Sequence, residues 1–142
     1  MYKKVLITLE NAPTDEAILD HVEKLHEVIP FQVILLHVAD GWVARNFNQL
    51  QLRESEEMKE DHAYLEVIAN RLKRKGIEVA HHLAMGDPAD EIIRFVKEND
   101  CDLLAMSTHG HRFFQDLILG ATATKVRHHV AIPVLLIKAT KA

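Results

Sequence analysis

The sequence predicts an α/β fold: a single doubly wound, five-stranded parallel sheet with helices on both faces. Apolar runs of strand length alternate with segments of helical periodicity in the order βαβαβαβαβ. The strand runs are apolar at nearly every position, as strands covered on both faces require. No internal repeat, linker or low-complexity tract breaks the alternation, so residues 1–142 read as one domain.

The first strand is Val5 to Leu9. Turn residues follow from Asn11 to Asp15, with Thr14 as an N-cap candidate. Ile18, Val22, Leu25 and Val28 then recur at helical spacing until Pro30, and Phe31 to Val38 is a second strand. Asp40-Gly41 opens a loop, and the polar stretch Arg45 to Gln51 reads as mobile surface. A long helix takes over near Glu54, with Leu65, Ile68 and Leu72 facing inward. It closes on the basic run Arg71 to Lys75 and a Gly76 stop. Ile77 to Ala84 is a third strand, ended by the turn Met85-Gly86-Asp87-Pro88, and Pro88 suits the first turn of the next helix. Ile92, Ile93 and Val96 form that helix's apolar stripe. Leu103 to Met106 is a short fourth strand, followed by the loop Ser107 to Arg112, a helix reaching about His129, and the strand Pro133 to Lys138.

Composition narrows the function. Lys and Arg number 17 against 21 Asp and Glu, a formal charge of −4, whereas a dedicated DNA or RNA binder carries a basic footprint. The single cysteine excludes an intrachain disulfide framework and a Cys-based zinc finger. Cys101, between Asp100 and Asp102, lies where a thiolate is disfavoured, so it reads as structural. The apolar run after Lys4 breaks at Thr8 and Glu10, too short for a signal-peptide core. The run from Val130 to Ile137 is far below the ~20 residues of a membrane-spanning helix. A cytoplasmic protein with neither nucleic acid nor membrane as partner is the expectation.

Ligands in doubly wound folds bind beyond the carboxyl ends of the strands, where strand order reverses. Two strand ends are chemically distinctive, Leu9-Glu10-Asn11-Ala12 and Met106-Ser107-Thr108-His109-Gly110, and the site is expected between them. Gly110 permits close backbone approach to a ligand. Gly120 would let a phosphate sit against amides at a helix N-terminus, with hydroxyls from Ser107, Thr108, Thr122 and Thr124 as donors. A turn glycine and a packing glycine would look the same in sequence.

Over nearly its whole length the chain resembles the universal stress protein (UspA-like) family. The matching segments are Tyr2 to Ile7, Leu36-His37-Val38 and Gly86 to Ile92. To these are added Met106 to His111, Leu119-Gly120 nine residues on, and Ile132 to Lys138. The resemblance implies a Rossmann-like or flavodoxin-like regulatory homodimer that binds ATP, ADP or AMP, with or without Mg. ATP-binding members carry Gly-x2-Gly-x9-Gly-Ser/Thr and an Asp after the first strand. Here Ser107 stands at the first Gly, Ala121 at the Ser/Thr and Glu10 at the Asp. By resemblance, Leu9, Glu10, Asn11 and Val38 surround the nucleoside. Met106, Ser107, Thr108 and His109 lead into a phosphate loop of Gly110, His111, Arg112, Gly120, Ala121 and Thr122. The closing strand, Val134-Leu135-Leu136-Ile137, is expected to pair with its copy across a two-fold axis, covering an apolar edge.

Other constellations are weaker. His81 and His82, adjacent on a strand, point to opposite faces and do not share one ion easily. His128 and His129 suit a helix C-terminus, leaving His109 and His111 as the best metal pair. The acidic run Glu54 to Asp61 reads as a solvated helix face, and Arg71 to Lys75 as helix-end chemistry. Neither a nucleophile elbow nor a Walker A lysine motif is present, so turnover is expected to be at most slow ATP hydrolysis. A nucleotide-free scaffold of the same fold is the principal alternative, and a slow hydrolase or phosphotransferase comes after it.

Overall fold

The computed structural model describes residues 1–40, 51–108 and 116–138, apart from the side chains of residues 40, 51–55 and 116–121. The elements follow one another as β1 (Lys4–Thr8), α1 (Asp15–Val28), β2 (Gln32–Asp40), α2 (Gln51–Lys73), β3 (Val79–Gly86), α3 (Pro88–Glu98), β4 (Leu103–Ser107), α4 (Asp116–His129) and β5 (Val134–Ile137). All strand pairs are parallel, and the sheet order is β3-β2-β1-β4-β5. The expected fold class is therefore observed.

Strand alternation sorts the core into two layers. Val5 and Ile7 of β1 and Val33 and Leu35 of β2 pack against Ile18, Leu19 and Val22 of α1 and Leu65, Ile68 and Leu72 of α2. Leu6, Ile34, Leu36 and Leu104 face the other way, against Ile92 and Val96 of α3 and Ala123 and Val126 of α4. The central strands β1 and β4 are buried on both faces, which explains their unbroken apolar runs.

Several boundaries differ from expectation. Thr14 occupies the N-cap position of α1 but has helical backbone angles and makes no capping bond. Its hydroxyl oxygen is buried without a hydrogen-bond partner. Asp15 satisfies the local amides instead. β2 runs on to Asp40 because β3 pairs with it as far as Gly86. α2 is already helical at Gln51, before Glu54, while the rest of the stretch expected to be mobile surface lies outside the described residues. Gly86, at φ 135°, turns the chain out of β3, and the Asp87 side chain caps α3 by accepting the Asp90 amide at 3.0 Å.

Candidate functional site

The strand order reverses between β1 and β4, which are neighbours in the sheet. α1 leaves the end of β1 on one face and α4 follows β4 on the other, so the connections diverge and open a crevice. The crevice is a cleft of about 230 Å³ lined by Thr8, Leu9, Glu10, Leu36, His37, Val38, Pro88, Ile92, Met106, Ser107 and Thr122.

The loop after β1 is held by a buried carboxylate. Asp15 is 1% exposed and accepts the backbone N–H groups of Glu10, Asn11 and Ala12 at 3.0, 3.0 and 3.3 Å. The Tyr64 hydroxyl of α2 donates to the same carboxylate at 2.6 Å. Burial, reinforced by Asp15, raises the Tyr64 pKa, so the phenol stays a donor. Asn11 takes a positive φ of 59° to complete the wrap, and its amide donates to Asp61 at 3.0 Å. Asn tolerates this left-handed conformation better than most residues.

Two further side chains set the electrostatics. His37 Nδ1 lies 2.7 Å from the Leu9 carbonyl, which can only accept, so Nδ1 carries a proton and donates. Its Nε2 faces Asp61 at 3.5 Å. Glu10 Oε2 is buried without a hydrogen-bond partner. Burial, and then the charge of Asp15, push the Glu10 carboxyl up to about 7.

Of the expected site residues, Leu9, Glu10, Val38, Met106, Ser107 and Thr122 line one cleft. Asn11 adjoins it through Asp61. Thr108 donates its amide to Ile137 of the last strand at 3.0 Å. His109, Gly110, His111 and Arg112 lie outside the described residues, as does the Ala121 side chain. Gly120 lies inside α4 (Asp116–His129) with four helical residues before it, beyond the amides that a helix start leaves free. What it offers there is the lack of a side chain rather than an unpaired N–H. Thr124 is exposed and two positions from Thr122, so it faces away from the cleft that Thr122 lines.

Thr8, Leu36, His37, Pro88 and Ile92 also line the cleft without having been singled out as site residues. The Thr8↔Leu36 register and the bond from Leu9 N to Leu36 O place His37 beside the end of β1, a juxtaposition visible only after strand pairing. The adjacent histidines of β3 fall as strand alternation requires: His81 lines a groove with Glu66, Asn70 and Lys73 of α2, and His82 packs on Phe95 of α3. Cys101 is buried, and that burial, with Asp102 and Asp100, holds its thiol pKa up against the opposing Lys4.

Architecture and crevice together define an α/β domain of the doubly wound class, with a cleft at the switch between β1 and β4. The chain belongs to the universal stress protein family, whose profile matches residues 1–138. It is 28% identical to universal stress protein MJ0577 of Methanocaldococcus jannaschii, over 97% of this chain and 96% of that protein. A solved MJ0577 structure aligns over 100% of this chain and 99% of its own, at a TM-score of 0.84 and 26% identity. A universal stress protein of Archaeoglobus fulgidus, solved in complex with dAMP, shares the fold at a TM-score of 0.71 and 19% identity over 96% and 98% of the two chains. Another, solved with cAMP, does so at 0.71 and 16% over 98% of each.

Proposed function

We propose that this protein is a cytoplasmic regulatory homodimer of the stress response that binds an adenine nucleotide in the cleft between β1 and β4. The observation that carries the proposal is the unpartnered Glu10 oxygen buried at the wall of a cleft whose other lining is mostly apolar, Leu9, Leu36, Val38, Met106 and Ile92, with Thr8, His37, Ser107 and Thr122 among them. A mostly apolar slot with a few polar groups on its wall suits a flat heterocycle with hydrogen-bonding edges. At about 230 Å³ the cleft is somewhat smaller than the ~300–1,000 Å³ of typical ligand pockets, so base and sugar would fill it and phosphates would lie outside. The dAMP and cAMP bound by proteins of the same fold support the choice of an adenine nucleotide.

Glu10, Asn11 and the main chain at Val38 would hold the nucleoside, and Gly110, His111, Arg112, Gly120, Ala121 and Thr122 the phosphates. Among the described residues no group of three or more His, Cys, Asp or Glu gathers to hold a metal, so Mg would arrive on the phosphates. The chain's own part is binding and orientation.

Mass spectrometry of the small molecule released on denaturing the purified protein is expected to show an adenine nucleotide. Calorimetric titration with ATP is expected to show binding that Gly120→Asp abolishes, because the carboxylate both fills the approach and repels phosphate. Unchanged affinity in that variant would remove the phosphate seat from α4. One observation favours a nucleotide-free scaffold: Ser107, 9% exposed, puts a side chain on the cleft wall where ATP-binding relatives have glycine. Purification without nucleotide and no calorimetric signal would select that alternative.

A further inference from the structure

We propose that Glu10 engages its ligand as a neutral carboxylic acid, so that the cleft takes a base edge presenting an acceptor beside a donor and loses it when Glu10 ionises. This rests on the nucleotide-binding proposal and adds a selectivity and a pH response to it. The geometry is a carboxyl group on the cleft wall with one oxygen buried and unbonded, on a residue whose own backbone N–H is held at 3.0 Å by the fixed carboxylate of Asp15. Asp15 cannot swing away from Glu10, because three loop amides and the Tyr64 hydroxyl bind it. A negative charge on Glu10 would thus be desolvated and beside a like charge, and both effects favour the protonated form.

The surroundings offer no compensation. From β2, the basic group lining the cleft is His37, which is committed to the Leu9 carbonyl and to Asp61. From α2 come Asp61, a further carboxylate, and Tyr64, a phenol held to Asp15. The lining contributed by α3, β4 and α4 is Pro88, Ile92, Met106, Ser107 and Thr122, none of them charged. Among the described residues, then, no cation is free to stabilise an ionised Glu10 in the cleft.

A carboxylate only accepts hydrogen bonds, whereas the neutral acid donates through O–H and accepts through C=O. Adenine presents N7 beside the N6 amino group, an acceptor next to a donor, while guanine presents two acceptors on the corresponding edge. With its buried, unbonded Oε2 turned toward the cleft, the neutral acid pairs with both atoms of the adenine edge. Ionised, it would face the N7 lone pair with another lone pair.

The test is ATP and GTP affinity by calorimetry across the neutral range, for the wild type and for Glu10→Gln, with carbon-13 NMR of the Glu10 carboxyl in the ligand-free protein. With Glu10 titrating at about 7 and only its neutral form competent, ATP affinity falls about a hundredfold from about pH 6 to about pH 9, and ATP is preferred over GTP at the acid end. Glu10→Gln, whose amide donates and accepts but cannot ionise, is expected to lose that slope. A Glu10 resonance titrating near the ordinary 4.5 overturns the inference whatever the ligand does. So does ATP binding with the same pH slope in both proteins, or with none in the wild type. Failure of the wild type and of Glu10→Gln alike to bind ATP at any pH overturns the nucleotide-binding proposal instead, and the NMR titration still decides the protonation state of Glu10.

Discussion

Asp15 shapes the cleft without lining it. Its carboxylate gathers three consecutive amides into one anion nest and ties them to α2 through Tyr64. Removing it leaves four donors unpaired at a site that is 1% exposed. Each buried unpaired donor costs about 1–3 kcal/mol, but loop amides near the surface recover part of that from water. Asp15→Ala is therefore expected to lower stability by about 3 kcal/mol, read from the urea midpoint at unchanged slope. A loss below about 0.5 kcal/mol would mean the loop holds itself. This role was hidden in the sequence, where Asp15 looks like an ordinary acidic residue in a helix's first turn. The place of Glu10 at the cleft was legible because it follows an apolar strand. Its lack of a partner was not, since that depends on what the fold brings near it.

At the scale of elements, α1 and α2 are clamped on one face of the sheet by a single guanidinium. Arg71 donates to Glu16 at 2.9 Å, Asp20 at 3.2 Å and Glu23 at 2.9 Å, and Lys75 adds a contact to Glu23 at 3.0 Å. Burial works to raise the Glu23 pKa, yet the hydrogen bonds from Arg71 and Lys75 outweigh it and hold the carboxyl below its ordinary value. The sequence marks Arg71 only as part of a basic run closing a helix, because its partners lie 48 to 55 positions away. By contrast, the α3 stripe and the buried central strands were legible, since their periodicity is local. Arg71→Gln leaves three α1 carboxylates facing one another around a half-buried site. Breaking a fully buried pair costs about 3–5 kcal/mol, and because Glu16 and Asp20 are 62% exposed the expected loss is discounted to about 2 kcal/mol. Added salt should narrow the gap between variant and wild type by screening the residual repulsion, and chemical denaturation at low and high ionic strength checks both statements.

At the scale of the whole molecule, an open sheet has two edges, and they are not alike. The β3 edge exposes His81 and His82, polar side chains that discourage strand addition, and places α2 and α3 close on either face. The β5 edge is Val134-Leu135-Leu136-Ile137, apolar throughout, bonded to β4 on one side, with Leu136 37% exposed. An edge of that composition is a template for another strand, and a two-fold axis through it would present each copy with the same four residues. The asymmetry was readable in the sequence only as two differently composed strands; the topology is what puts both at edges. We therefore expect a homodimer paired through β5. Light scattering at micromolar concentration should give twice the chain mass of 16.2 kDa. Leu136→Lys, which sets like charges against each other across the axis, should yield monomers with unchanged far-ultraviolet circular dichroism. His82→Lys at the opposite edge should leave the dimer intact. Wild-type monomers, or loss of the dimer through His82 rather than Leu136, would move the interface away from β5.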